Sequence, residues 1–338
     1  MEMHDLCAIA MREARSVLAT AIKVEGHAYR KQGVSMLFTE NGKIYGSISP
    51  GCLESDLQER VSRVLETGQL DLVSYDMRPE DDLSWGETIG CGGLVVVLLE
   101  PICGELRSMM QQMQLCFDLG ASVSFTRSFD EDWQRVTYAF DKLESGRLPV
   151  NEWNLPQQFT SVYVPKPRLI IIGAGNDVIP VVKLSRSAGF RVLVTDWRES
   201  LCTAERFPEA ELMFGFPQEV YGQLSIREQD YILLMSHQFP REREWLALLM
   251  NSSYAYLGIM GSRTRTKRLL DGMPPLKHVH SPVGLTIGAD GPEEIAISIA
   301  AELIACRRKV QKAAGISMVM IEKGSDAYAN DRYRSGSW

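Results

Sequence analysis

The 338-residue sequence has little of what membrane proteins, secreted proteins and nucleic-acid-binding proteins need. No apolar run approaches the roughly 18 residues of a membrane-spanning helix, and the N-terminus lacks the basic start and apolar core of a signal peptide. The net charge of −7 argues against binding to nucleic acid or to an anionic membrane surface, because both need an excess of Lys and Arg. We therefore expect a cytoplasmic protein whose partners include neither nucleic acid nor a membrane.

Cysteine spacings typical of disulfide frameworks or zinc cages are also missing. The seven cysteines are odd in number and scattered, with no Cys-x-x-Cys pair, so we expect reduced thiols. With 45% apolar and 23% charged residues, the composition is that of a globular protein. The length suits two domains of about 150 residues each.

Proline and polar residues gather between positions 145 and 167, where periodicity is weak, and we place the domain boundary there. The expected organisation is an N-terminal domain at 1–145, a linker at 146–167, a Rossmann-like domain at 168–315 and a partly disordered extension at 316–338. The predicted fold class is α/β, with an N-terminal α+β domain that carries Gly-Cys loops and a C-terminal doubly wound parallel sheet.

The N-terminal half has the patterns of helices and of an antiparallel hairpin. Apolar residues recur at helical spacing from residue 3 to about 20 and again from Leu53 to Leu65, where Gly68 is a plausible stop. Between these segments, Asn41-Gly42 separates two β-prone runs, which predicts a hairpin. A strand at 94–99 completes the α+β pattern.

In the C-terminal half, strand-like and helical segments alternate, which predicts a doubly wound parallel sheet. The apolar strand 168–172 is followed by Gly173-Ala174-Gly175 and then by a helix. The first glycine allows a tight turn, the second lets backbone amides approach a pyrophosphate, and the helix N-terminus favours negative charge. Asp196, about 20 residues further on, is placed to accept hydrogen bonds from a ribose diol.

These residues predict a nucleotide site, and the choice between NAD and NADP stays open. Arg198 could either pair with Asp196 or contact a 2′-phosphate. Val178 stands where the fingerprint has a third small residue, so a Rossmann-like domain that has lost its ligand is the alternative.

Two further loops follow strands at the same edge of the predicted sheet: Ser236-His237 and Gly261-Ser262-Arg263. His237 is either an acid or base for hydride transfer or a solvated loop imidazole. An NAD(P)-dependent oxidoreductase is therefore one candidate function.

The N-terminal half contributes two cysteine loops. Ser49 is a good N-cap and Pro50 suits a first helical position, so we expect Cys52 in the first turn of a helix, where a thiolate is favoured, with Glu54 close behind. Cys91 lies between glycines just before a strand, where backbone amides are open to a ligand. Each cysteine taken alone is more often a small buried apolar residue, whereas the pair could hold a soft metal or a phosphate-bearing cofactor.

Six motifs, in this order, are similar to those of one family, the xanthine dehydrogenase accessory proteins of the XdhC/CoxI type. They are Gly46-Ser-Ile-Ser-Pro-Gly-Cys-Leu-Glu54, Gly90-Cys-Gly-Gly93 with Leu99-Glu-Pro101, Gly173-Ala-Gly175, Thr203-Ala-Glu-Arg-Phe-Pro208, Gly258-Ile-Met-Gly-Ser-Arg263, and Ser281-Pro-Val-Gly-Leu-Thr-Ile-Gly288 with Pro292-Glu-Glu294. The resemblance spans residues from about 15 to 305.

The resemblance implies transient binding of the molybdenum cofactor (molybdopterin) and its delivery to apo-xanthine dehydrogenase or a related molybdenum hydroxylase. Such a role is non-catalytic and supports purine oxidation, although some members are named as part of the dehydrogenase itself. It implicates Cys52 as the thiolate that contacts the metal of the cofactor. The apo catalytic subunit is the implied partner, with a cysteine desulfurase as a second candidate and a homodimer as the expected state. The candidate cofactor-binding residues are Gly51, Cys52, Glu54, Cys91, Gly92, Gly93, Gly173, Gly175, Asp196, His237, Ser262 and Arg263.

Overall fold

The computed structural model describes residues 1–26, 29–77, 93–143, 152–155 and 157–313. The helices are α1 (Met3–Ala10), α2 (Glu54–Thr67), α3 (Gly104–Asp118), α4 (Val178–Ser187), α5 (Pro217–Leu224), α6 (Phe239–Leu249), α7 (Arg263–Leu270) and α8 (Gly291–Ala313). The strands are β1 (Ser16–Gly26), β2 (Ser35–Thr39), β3 (Ile44–Tyr45), β4 (Asp71–Asp76), β5 (Gly93–Pro101), β6 (Ser122–Phe129), β7 (Val136–Leu143), β8 (Glu152–Leu155), β9 (Gln158–Tyr163), β10 (Arg168–Ile172), β11 (Arg191–Asp196), β12 (Glu211–Phe214), β13 (Tyr231–Leu234), β14 (Tyr256–Ile259) and β15 (Val279–His280).

Within these ranges the strands form three sheets. An antiparallel sheet has the order β3-β2-β1-β5-β4, and a second antiparallel sheet has the order β7-β6-β9-β8. The third sheet is parallel throughout and has the order β12-β11-β10-β13-β14-β15. The predicted combination of an α+β N-terminal half and a parallel C-terminal sheet is confirmed.

The first helix is shorter than expected. We expected a helix from residue 3 to about 20, but α1 ends at Ala10 and the chain enters β1 at Ser16. The prediction was wrong because Val17 and Leu18 fall at helical spacing and also fit a strand buried on both faces. Strand β1 pairs with β2 on one side and β5 on the other, and these pairings outweigh local preference.

The hairpin and the next helix are confirmed. Strands β2 and β3 pair antiparallel, with Leu37 opposite Tyr45, and the turn between them contains Gly42 at φ +79°. Helix α2 buries Leu57, Val61 and Val64, which are spaced by one helical turn, against the first sheet. It ends at Gly68 in the left-handed conformation.

The segment expected to be a linker, 146–167, contains strands β8 and β9. Strand β9 pairs with β6 from Gln158 to Tyr163, and Phe159 and Ser161 are fully buried. Prolines at both ends of this short strand hid it in the sequence. Residues 158–163 are thus a structural part of the second sheet, while the domain limits stay a prediction and the extension 316–338 lies outside the described residues.

A buried ion pair joins the two antiparallel sheets. Glu100 on β5 and Arg127 on β6 are both fully buried. Nε of Arg127 donates to both carboxylate oxygens at 3.0 Å, and its Nη2 lies 2.9 Å from Oε2 and 3.3 Å from Oγ1 of Thr20. The guanidinium carbon also lies 4.7 Å from the ring centre of Phe125. These contacts fix the position of one sheet against the other.

The parallel sheet carries helices on both faces. One face packs against α4 and α8 through residues such as Val181 and Ile299. The other packs against α5, α6 and α7 through residues such as Val220, Leu246 and Leu269. The chain builds the sheet outward from β10, first to β11 and β12 on one side and then to β13, β14 and β15 on the other. This is the doubly wound arrangement of dinucleotide-binding domains, and the direction of building changes between β10 and β13.

Polar contacts connect the N-terminal part to the parallel sheet. The buried ring of His4 accepts a hydrogen bond from the backbone N–H of Lys166 at 3.2 Å and contacts Oδ1 of Asp118 at 3.2 Å. The carboxylate of Asp118 also pairs with Arg191, and the backbone carbonyl of Asp118 accepts a hydrogen bond from Nη1 of Arg227. We call these five residues the joint. None of the helices in the described ranges combines the length and apolarity needed to cross a bilayer.

Candidate functional site

The tight turn after β10 depends on Gly173. Its φ is +124°, and a Cβ there would lie 2.6 Å from the carbonyl carbon and oxygen of Met235. The end of β13 therefore packs directly against the glycine backbone. This contact places the loops after β10 and β13 side by side at the carboxyl edge of the sheet, and we call the space between them the crevice.

Asp196 ends β11, as predicted, but its carboxylate bonds within the protein. Oδ2 accepts from the N–H of Ala174 at 2.7 Å and from Nη2 of Arg198 at 2.8 Å. Oδ1 accepts from the N–H and from Nε of Arg198, both at 2.9 Å. The guanidinium also lies 4.6 Å from the ring centre of Trp197. Of the two roles predicted for Arg198, the structure shows the pairing with Asp196.

An ion pair between Asp177 and His237 crosses the crevice. Oδ2 of Asp177, which precedes α4, lies 2.7 Å from Nε2 of His237, which follows β13. This hydrogen bond raises the pKa of His237, against the opposing effect of partial burial. His237 also has a left-handed backbone, at φ +57°.

Glu242 supports the His237 loop from below. This fully buried carboxylate accepts from the Ser236 hydroxyl at 3.1 Å and from the N–H of His237 at 3.0 Å. Its other oxygen lies 2.7 Å from Nη1 of Arg265. The backbone at His237 is therefore held by a charged, buried anchor.

Ser262 and Arg263 take different places at the same edge of the sheet. Ser262 caps α7, with its hydroxyl accepting from the N–H of Arg265 at 3.2 Å. Arg263 is exposed at the first position of that helix. Their roles toward a ligand stay predictions.

The loop around Cys52 forms a separate feature on the first sheet. Oγ of Ser49 accepts from the N–H groups of Gly51 and Leu53, both at 3.1 Å, and donates to Oε2 of Glu54. Oε1 of Glu54 accepts from the N–H groups of Ile48 at 3.0 Å and Ser49 at 2.8 Å. Glu54 therefore closes the loop with its own side chain.

The helix that follows begins later than expected. We expected Cys52 in its first turn, but α2 begins at Glu54 and Cys52 lies two residues before it. Cys52 is half-buried, and Gly51 has φ +129°. Apart from its two chain neighbours, no atom of the described residues lies within 4 Å of a Cβ built at Gly51. Among the described residues, none beyond these neighbours crowds the loop at Gly51.

The second cysteine loop is only partly described. Cys91 and Gly92 lie outside the described residues, and Gly93 begins β5. Among the residues that the structure does describe, no group of three His, Cys, Asp or Glu side chains is arranged to hold a metal ion.

The structure brings together Gly173, Gly175, Asp196 and His237 at the crevice, while their roles toward a ligand stay predictions. Sequence reasoning missed the two acids that organise this crevice, Asp177 and Glu242. An acid next to the glycine loop and one at the start of α6 were the available signals, but both resemble ordinary helix-start residues. It also missed Arg206, whose Nη2 donates to the carbonyl of Ala174 at 2.9 Å and to Oδ1 of Asn176 at 3.1 Å.

A Rossmann domain joined to an antiparallel domain with a fixed cysteine loop defines a two-domain class of protein, and comparison with known proteins gives its family. The model of the XdhC Rossmann domain matches residues 169–303, and that of the XdhC and CoxI family matches residues 10–76. The chain belongs to the XdhC and CoxI family.

Relatives agree with this assignment over most of the chain. A Bacillus subtilis protein named as a probable xanthine dehydrogenase subunit is 38% identical over 320 residues, which cover 90% of this chain and 97% of that protein. A crystal structure of a Bacillus halodurans protein, described as a xanthine dehydrogenase, is 40% identical with a TM-score of 0.78, and the match covers 91% of this chain and 96% of that one. The molybdenum cofactor insertion chaperone PaoD of Escherichia coli is 23% identical over 300 residues, 86% of this chain and 83% of PaoD.

Proposed function

We propose that this protein binds the molybdenum cofactor and delivers it to apo-xanthine dehydrogenase or a related molybdenum hydroxylase, without catalysing a reaction itself. The observation that carries the proposal is the Cys52 loop, which holds a half-buried thiol beside an open glycine. Family membership and the name of PaoD support the same role.

The residues of this loop suit such a cargo. A cysteine sulfur is a soft ligand, which matches a thiophilic metal centre. Gly51 has no side chain, and apart from its chain neighbours no described atom lies within 4 Å of its Cβ position, so the backbone next to Cys52 is uncovered on this side. Ser49 and Glu54 fix the loop without using the thiol, so the sulfur is held in place before the cofactor arrives.

Cargo binding is tested by purifying the full-length protein from a host that makes the cofactor. Bound pterin is oxidised to its fluorescent form and measured per protein molecule. We expect pterin with the wild-type protein and with Cys103→Ser, which changes an exposed cysteine, and a loss of most of it with Cys52→Ser. Absence of pterin from the wild-type protein, or equal amounts in both variants, would exclude the proposed role of Cys52.

The role of Glu54 is tested in the same assay. Because its carboxylate accepts from Ser49 and Ile48, we propose that it positions the loop and does not contact the cofactor. Glu54→Gln keeps an acceptor oxygen and should retain more pterin than Glu54→Ala. An equal loss in the two variants would point instead to a need for the negative charge.

Delivery needs a second measurement. The loaded protein is mixed with the apo form of the catalytic subunit, and activity is followed as it appears. The homodimer and the cysteine desulfurase partner are proposals of the same kind, tested by sedimentation of the purified protein and by co-purification. For the C-terminal domain, the bonding of Asp196 within the protein gives no support to an NAD(P)-dependent oxidoreductase.

A further inference from the structure

Two features of a Rossmann crevice receive a dinucleotide. The backbone at the second glycine of the loop lies against the pyrophosphate, and the acid at the end of the second strand binds the ribose diol. In this protein these positions are Gly175 and Asp196. Side chains of the protein itself take both places.

The carboxylate of Asp177 covers the second glycine. A side-chain carbon built at Gly175 would collide with Oδ1 of Asp177, so this oxygen occupies the space that the glycine leaves free. The other oxygen, Oδ2, lies 2.7 Å from Nε2 of His237 across the crevice. An anion is thus already bound where the phosphates of a dinucleotide would approach.

The guanidinium of Arg198 covers the acid. A carboxylate offers about four acceptor positions, and Asp196 uses its two oxygens for four hydrogen bonds. Two come from the guanidinium of Arg198, one from the backbone N–H of Arg198 and one from the N–H of Ala174. The side chain of Asp196 is fully buried beneath these donors. A ribose diol could reach this carboxylate only by displacing Arg198.

We propose that Asp177 and Arg198 act as internal substitutes for the phosphate and the ribose diol, and that they exclude dinucleotides from the crevice of this Rossmann domain. The two substitutes carry the charges expected for this purpose. The anion lies over the glycine loop and repels phosphate, while the cation satisfies the acid that would select a diol. The domain keeps the dinucleotide-binding fold with its ligand positions filled by its own residues. This inference is independent of the proposed cargo role.

NAD⁺ is the probe that tests this proposal, because it carries both a pyrophosphate and a free diol. Calorimetric titration compares the full-length wild-type protein with Asp177→Ala/Arg198→Ala. The control is Lys183→Ala/Asp271→Ala, which also removes one cation and one anion but at exposed positions. We expect wild type and control to bind NAD⁺ equally weakly. The Asp177/Arg198 double variant should bind at least about tenfold more tightly, since a charged hydrogen bond no longer competes.

Two outcomes overturn the proposal: tight NAD⁺ binding by the wild-type protein, and a folded double variant with no gain in affinity. Thermal unfolding of each variant is measured in parallel, because Arg198→Ala leaves Asp196 without its main partner. If the double variant fails to fold, Asp177→Ala decides, since it clears the space beside Gly175 and leaves the Arg198–Asp196 pair intact. No gain in NAD⁺ affinity in Asp177→Ala then overturns the proposal.

Discussion

At the end of β10, the neighbouring strand fills the space that a side chain at position 173 would need. The motif argument gave Gly173 a tight turn, and the structure adds a direct contact with the backbone at Met235. Glycine at this position therefore serves the packing of two strands as well as the turn.

We expect Gly173→Ala to lower the free energy of unfolding by about 3 kcal/mol or more, because both the left-handed φ and the collision oppose it. Gly272→Ala is the matched control. Gly272 has φ +73°, and a Cβ there would meet no atom of the described residues within 4 Å, so only the backbone cost of about 1 kcal/mol applies. Urea denaturation of both variants measures the difference, and equal losses would contradict a role for the Met235 contact.

The pair of His237 and Asp177 is open to direct titration. Because the hydrogen bond to Asp177 raises the pKa of His237, we expect the imidazole to titrate at a higher pH in the wild-type protein than in Asp177→Asn. The raised pKa means that the stability contributed by this pair is complete below about pH 6.5 and is lost as pH rises through the folded-state pKa. NMR titration of the ring protons measures both proteins, and identical midpoints would show that the contact is absent in solution.

Between elements, the buried Glu100–Arg127 pair joins β5 to β6. Each partner is fully buried, so removing one leaves an uncompensated charge in the core. We expect Arg127→Met to lower the free energy of unfolding by about 3–5 kcal/mol. Glu100→Leu/Arg127→Met should be destabilised less than Arg127→Met alone, because no buried charge remains. A double-mutant cycle in urea measures this, and a double variant with the summed loss would refute it.

Sequence patterns predicted elements well where one period dominates. The apolar strands of the parallel sheet, the hairpin at Asn41-Gly42 and helix α2 with its stop at Gly68 are of this kind. The sequence patterns failed at residues 11–20 and at 158–163. There the chain forms strands because it pairs with distant strands, which periodicity cannot show.

Candidate residues followed the same rule. The sequence placed the glycines and Asp196 at the crevice because a motif fixes their position relative to a strand, and His237 because its loop follows a strand at the same edge of the sheet. Partners such as Arg198 for Asp196, Asp177 for His237 and Ser49 for Glu54 depend on side-chain geometry, and spacing left these contacts open or gave no sign of them.

For the whole molecule, the joint places a titratable group, the His4 imidazole, at the connection between the N-terminal part and the parallel sheet. Burial lowers the pKa of His4 and the charge of Arg191 adds to this, while Asp118 and Asp5 oppose the shift. Lys166 faces the ring through its backbone N–H, and its ammonium pairs with Asp5. If the His4 ring took up a second proton on Nδ1, two hydrogen-bond donors, this N–H and the N–H of Lys166, would face each other.

We expect the contribution of His4 to the free energy of unfolding to fall as pH is lowered from about 7.5 to about 5.5, because the unfolded chain takes up a proton on His4 at about pH 6.5 and the folded protein only below that. His4→Gln removes the titrating group and should show a smaller decrease over the same range. Urea denaturation at both pH values compares the two proteins, and equal decreases would exclude His4 as the source.

The position of the joint has a consequence for access to the crevice. Lys166, Arg191 and Arg227 lie at or just before the first residues of β10, β11 and β13, whereas the crevice lies where β10 and β13 end. A strand of five residues spans about 17 Å. The N-terminal part therefore attaches at the edge of the parallel sheet where the strands begin, about one strand length from the crevice. Among the described residues, the edge that carries the glycine loop lies opposite this attachment, so none of the five joint residues lines the crevice.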